Sequence, residues 1–174
     1  NKSIELSTLL SLPASLGLIL AAEEIINGLF GYGSFVEKDV KITAKALALF
    51  GYGVIAFSLV KILANFYFAR DNTKTPLFVS SFIVFLNVTI SLSFFNAIGF
   101  LIIPIATSIS TWLGVFVYFY LLIKHKLLFL QKKLIKNIFK IIVSSALMCA
   151  VLLLSLQKYA SYLDYSNIYK SIFL

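Results

Sequence analysis

From Lys45 to Pro76 the chain reads KALALFGYGVIAFSLVKILANFYFARDNTKTP, and up to Phe68 it is apolar except for Lys45, Ser58, Lys61 and Asn65. A helix rising ~1.5 Å per residue needs about 20 such residues to cross a hydrocarbon core of ~30 Å. The run stops at Arg70-Asp71-Asn72-Thr73-Lys74-Thr75-Pro76, a polar turn whose proline is expected to bar helical geometry at Thr75 and to open the next apolar run. This is a membrane hairpin with a charged elbow, formed by Arg70, Asp71, Lys74 and Pro76.

The rest of the chain follows the same plan. Of its 174 residues, 60% are hydrophobic and 13% charged, with mean hydropathy +0.98, against roughly 45–50% and about 25% in soluble domains. Fifteen Lys and Arg outnumber seven Asp and Glu, but many of the cations stand beside apolar runs. That placement fits topology determinants and anionic lipid contacts, not nucleic acid. Single Cys149 rules out an internal disulfide and a cysteine metal site, and any zinc or Ser/His/Asp site would have to be built around the single juxtamembrane His125. No phosphate cradle of the Gly-x-x-x-x-Gly-Lys type is present, so no enzyme and no cofactor is expected. The chain starts at Asn1 without a signal-peptide pattern and ends in Ile172-Phe173-Leu174, which reads as a fragment.

In order, the first span is expected at about Leu6 to Phe30, kinked by Pro13 and carrying Glu23-Glu24 near its end. Carboxylates in a span are costly, about 2.5–3.5 kcal/mol for a central Asp; these two either reach the interface or serve a cation, a proton or a lysine. Asp39 or Thr43 is expected to cap the second span. Within that span Lys61 lies ~13 Å from Arg70, either snorkelling to the interface or lining a cavity that takes an anionic headgroup. The third span, about Leu77 to Phe95, aligns Ser80, Asn87 and Ser91 in one stripe, which either joins helices or lines a path.

After a tight turn at Asn96-Ala97-Ile98-Gly99, the fourth span covers about Phe100 to Ile123, with Pro104, Thr107, Thr111, Gly114 and Tyr118 on a packing face and Trp112 on another. Tyr118 and Tyr120 fall near the basic end, where interfacial aromatics belong. Leu127 to Lys140 reads as a basic amphipathic helix lying on the membrane, with Lys132, Lys133, Lys136 and Lys140 on one side and Leu127, Leu134 and Ile138 on the other. A fifth span, about Ile141 to Leu156, and the start of a sixth complete the chain. The fold class is thus an all-α, polytopic transmembrane bundle in three sections: 1–123, the linker 124–140, and 141–174. Lys2, Arg70, Lys74 and the cluster from Lys124 to Lys140 fall on one side, against Lys38, Lys41, Lys45, Lys158 and Lys170 on the other. The more basic side, including the elbow and the N-terminus, is therefore expected in the cytoplasm.

A mid-helix lysine, the aromatic end Phe66-Tyr67-Phe68 and then Ala-Arg-Asp-Asn-Thr-Lys-Thr-Pro resemble the tenth-helix signature of the MurJ/MviN family. Leu12 to Gly17, Leu29 to Phe35, and Ala106-Thr107-Ser108 followed by Trp112 match further pieces in order. The resemblance implies helices nine to thirteen, and the start of fourteen, of a bacterial inner-membrane lipid II flippase of the multidrug/oligosaccharidyl-lipid/polysaccharide exporter superfamily. Such a transporter serves peptidoglycan synthesis: two lobes rock around a cationic cavity, and a groove at the last two helices takes the lipid tail. The implied partners are lipid II, anionic lipids and the missing N-terminal lobe, without which the chain is not expected to transport. Glu23 and Lys61 become cavity candidates. An ion site seen in the family maps onto Asn87, Ser91 and Thr107, but Ser91 stands where the family has Asp, which weakens sodium coupling there. Sodium or proton coupling stays open. So do the alternatives: a carrier of another polyprenyl-linked sugar or small molecule, and a membrane scaffold that recruits a partner through its lysines.

Overall fold

One long helix holds the others in place. The structure, a computed structural model describing residues 2–33, 35–125 and 132–160, comprises α1 (Lys2–Leu20), α2 (Ala22–Phe30), α3 (Glu37–Phe68), α4 (Lys74–Ile98), a 3-10 turn (Gly99–Leu101), α5 (Ile102–Lys124) and α6 (Lys132–Ala160). α3 packs against α1, α2, α4 and α5, while α6 packs on α1. Four stretches are long and apolar enough to cross a membrane: Lys2–Leu20, Glu37–Phe68, Lys74–Lys124 and Leu134–Lys158. Lys74–Lys124, at 51 residues, is about twice the ~20 needed for one crossing. It folds back on itself at Gly99, whose φ of 69° is a left-handed conformation that glycine adopts without a Cβ penalty.

The side chains are arranged inside out relative to a soluble protein. α1 buries Thr8, Ser11 and Ser15 along one stripe and turns Leu6 and Leu10 outward, the latter 74% exposed. α5 buries Pro104, Ala106, Ser108, Ser110, Thr111 and Gly114, while Phe116 faces out. Lipid is as apolar as leucine, so spans associate through small residues that let backbones approach. At the α4–α5 seam a methyl on Gly114 would overlap Ile83. The main apolar cluster joins Ala56, Leu63 and Tyr67 of α3 to Val79 of α4 and to Val115, Tyr118 and Leu122 of α5.

Several expectations are corrected. The first helix runs through Pro13 and breaks at Ala21, φ −107° and ψ 21°. The break turns Glu23 and Glu24 into the first turn of a new helix, where the amide dipoles favour carboxylates. Thr75 is helical, since α4 begins at Lys74; Pro76 sits in the first turn, where its missing N–H would be unpaired in any case. Asp39 caps α3 from inside: its Oδ2 accepts the Val36 N–H at 3.2 Å. Tyr118 is fully buried against Tyr67, and Tyr120 is the exposed tyrosine. There is also no break between a surface helix and a fifth span, because Lys132–Ala160 is one helix. Nothing between Lys140 and Ile141 breaks a helix, and the change from amphipathic to apolar pattern is carried along one rod. The side chains of Lys132 and Lys133, residues 126–131 and the sixth run lie outside the described residues.

Candidate functional site

The α4–α5 hairpin brings two of the three ion-site candidates together. Asn87 Nδ2 donates to Thr107 Oγ1 at 2.9 Å, and Thr107 Oγ1 donates to the Ile103 carbonyl at 2.7 Å. One turn beyond Asn87, the Ser91 hydroxyl is buried without a hydrogen-bond partner among the described residues, and Ser80 of the same stripe is exposed. This set fits a sodium ion poorly. The Thr107 oxygen already accepts from Asn87 and donates to Ile103, and Ser91 offers a neutral hydroxyl where a hard cation favours a charged oxygen. Asn87 and Thr107 are arranged as a latch between α4 and α5.

Glu23 lies in a groove of about 330 Å³ between α1, α2 and α3, beside Lys41 and Lys45 and floored by Ala44 and Ala48. Lys41 is already held by Glu37 at 2.6 Å. Glu24 has one buried carboxylate oxygen without a hydrogen-bond partner among the described residues. Lys61 is exposed on the outer face of α3, together with Phe57 and Asn65. The structure thus separates Glu23 and Lys61: the first lies near the start of α3, the second two turns from its end. Two turns from the helix end, an exposed lysine can either snorkel to the interface or face a cavity.

The elbow is built as a helix stop. Asp71 adopts φ 55°, its N–H bonds to the Phe68 carbonyl at 3.0 Å, and the Asn72 N–H reaches the Tyr67 carbonyl at 3.1 Å. This is the Schellman arrangement, with Asp71 in the left-handed position that glycine usually fills. Asn72 Oδ1 then accepts the Thr75 N–H at 3.1 Å, so one side chain ties the end of α3 to the start of α4. Arg70 lies 4.3 Å from the centre of the Phe66 ring, a cation–π contact that holds its charge at the helix end.

A further constellation was not read from the sequence. Near the midpoint of α3, three successive neighbours donate to its backbone: Ser108 Oγ to the Leu49 carbonyl at 2.8 Å, Ser15 Oγ to Gly51 at 2.7 Å, and Trp112 Nε1 to Tyr52 at 3.0 Å. Gly51 and Gly53 open the notch. A Cβ on the first would lie 2.8 Å from Ile19, and one on the second 2.8 Å from Ser108 Oγ. The Gly-x-Gly spacing was the available signal.

A family model described as lipid II flippase MurJ matches residues 1–173. The chain belongs to the MurJ family. Two relatives are each described as a probable lipid II flippase MurJ. The protein of Thermotoga maritima is 36% identical over 151 residues, covering 87% of this chain and 30% of the relative. That of Rickettsia prowazekii is 35% identical over 128 residues, covering 73% and 25%. A solved structure of lipid II flippase MurJ in an inward closed conformation superposes with a TM-score of 0.77 at 29% identity, covering 89% of this chain and 32% of that one. The chain therefore spans about a quarter to a third of these MurJ proteins. Its all-helical, multi-pass membrane architecture is that of the MurJ fold.

Proposed function

We propose that this chain is part of a flippase that moves lipid II across the bacterial inner membrane by alternating access, without covalent chemistry. The observation that carries the proposal is the MurJ family match along residues 1–173. Because the chain covers about a third or less of its relatives, the activity is assigned to the full-length protein that contains it. In this reading the outer face of α3, with Lys61 and Asn65, faces the transport cavity, where the ammonium takes part in holding an anionic headgroup. Asn87 and Thr107 keep α4 and α5 moving as one body when the lobes rock. No step passes through sodium at Asn87 and Thr107. Glu23, beside Lys41 and Lys45, is the candidate for proton coupling.

We assign the elbow to the cytoplasmic side. Antiparallel packing supports this, because α1 meets α3 with Ser15 opposite Gly51, which puts Lys2 at the Arg70–Lys74 end. The Lys140 end of α6 lies beside Lys2. Lys2, Arg70, Lys74 and Lys140 thereby share one end of the bundle, the more basic one, which the positive-inside bias assigns to the cytoplasm.

The test is the sidedness of lipid II in cells depleted of the gene encoding this chain, read with an externally added enzyme that cleaves only outward-facing lipid II. Protected lipid II should accumulate on depletion, and re-expression of Lys61→Gln should restore cleavage only in part. Unchanged external cleavage in cells with no second flippase would refute the assignment.

A further inference from the structure

A second groove, at the opposite end of α1 from Glu23, plays no part in the proposed transport path. It lies where the first turns of α1 meet the first third of α6 and has a volume of about 420 Å³, within the ~300–1,000 Å³ of small-ligand clefts. Two helical stripes face each other across it. On α1, Lys2 and Glu5 come first, followed by Leu6 and Leu9; on α6, Asn137 and Lys140 come first, followed by Ile141. These spacings of three and four residues put each set on one side of its helix.

Both stripes change from polar to apolar in the same direction, because α1 and α6 start at the same end of the bundle. The groove therefore has a hydrogen-bonding, cationic mouth and an apolar run leading away from it along the membrane normal. Leu6 and Leu9 are 62% and 48% exposed, so this run is open to a chain lying alongside. Lys2 and Lys140 supply two ammonium groups and Asn137 an amide, against the single carboxylate of Glu5. Lys136, one turn before Lys140, is also exposed and adds positive potential from outside the groove.

We infer that this groove is a binding site for one anionic diacyl phospholipid, its phosphate held between Lys2 and Lys140 and one acyl chain lying against Leu6, Leu9 and Ile141. The order of groups along both helices, phosphate donors first and methylene-contacting side chains after, is the order of groups along a phospholipid. The net positive mouth selects an anionic headgroup over a zwitterionic one.

The experiment uses the full-length protein in detergent, with retention of phosphatidylglycerol and of phosphatidylethanolamine of the same chain length read by native mass spectrometry. One phosphatidylglycerol should be retained in preference to phosphatidylethanolamine. Lys140→Gln should weaken its binding about fivefold, the effect of one lysine near a charged lipid surface. Leu9→Trp, which fills the groove without changing charge, should weaken it at least as much. Lys136→Gln, with the same change of net charge outside the groove, should leave it within about twofold. Equal losses for Lys136→Gln and Lys140→Gln would reduce the effect to diffuse electrostatics and overturn the site, as would full binding by Leu9→Trp. Displacement of phosphatidylglycerol by equimolar lipid II would overturn the assignment to a resident phospholipid. Should Leu9→Trp fail to fold, the comparison of the two lysine variants still decides.

Discussion

The α1–α3 seam can be weighed directly, because a close backbone approach and a buried hydrogen bond meet at one residue. Gly51→Ala would place its methyl 2.8 Å from Ile19 Cγ1 and 3.3 Å from the Ser15 carbonyl oxygen, where carbon pairs prefer ~3.5–4.0 Å. The Ile19 branch can swing, but the Ser15 carbonyl belongs to a helix and can give way only if α1 moves. Overpacking of this kind costs about 1–3 kcal/mol. Ser15→Ala removes the 2.7 Å bond to the Gly51 carbonyl, yet that carbonyl keeps its place in the α3 ladder. The loss should then be near the ~0.6 kcal/mol average for hydrogen bonds between membrane helices. SDS-titration unfolding in mixed micelles, followed by far-UV circular dichroism, should rank Gly51→Ala as more damaging than Ser15→Ala. Adding Ile19→Ala should recover part of the Gly51→Ala loss. The reverse ranking, or no recovery in the double variant, would show that the polar bond and not the close approach holds the seam.

Asp71→Gly should stabilise the elbow by about 1 kcal/mol, the order of the left-handed penalty for a residue with a Cβ, while Asp71→Val should destabilise it; both are read in the same titration. A double-mutant cycle of Asn87→Leu and Thr107→Val should return a coupling of ~0.6 kcal/mol and at most about 1.7 kcal/mol, and a coupling of zero would remove the latch. Ser91→Ala should be neutral or stabilising, since it deletes a buried hydroxyl that has no partner among the described residues, a group that costs about 1–3 kcal/mol when left unpaired. A clear loss of stability in Ser91→Ala would reveal a bond that Ser91 makes elsewhere.

Where the sequence carried a chemical prohibition, the fold was legible. Charge cannot sit in hydrocarbon, so Arg70 to Lys74 marked a hairpin, and the small residues at Pro104, Thr107, Thr111 and Gly114 marked a packing face through helical spacing alone. The break at Ala21 was hidden because two helices in succession present the same apolar run as one; its electrostatic reason, carboxylates placed at a new N-terminus, appears only with the backbone. The continuity of α6 was hidden for the opposite reason. A change of pattern looked like a change of element, although no residue there stops a helix. Serines within spans announced that they needed partners, but not that Ser15 and Ser108 would find them on the α3 backbone. At the candidate site the stripe put Asn87 and Ser91 on one face, and only the hairpin register decided that Thr107 meets the first while the second goes without a partner.

The length of α3 has a consequence of its own. Its 32 residues extend ~48 Å at 1.5 Å per residue, well beyond the ~30 Å hydrocarbon depth of an average bilayer. The surplus falls where the sequence can tolerate it, in the turns bearing Glu37, Lys38, Asp39, Lys41 and Lys45. The charged turns therefore project beyond the hydrocarbon: a thicker membrane draws Lys45 toward the acyl chains first, and a thinner one releases Lys45 and Lys41 to the headgroups together with the groove that holds Glu23.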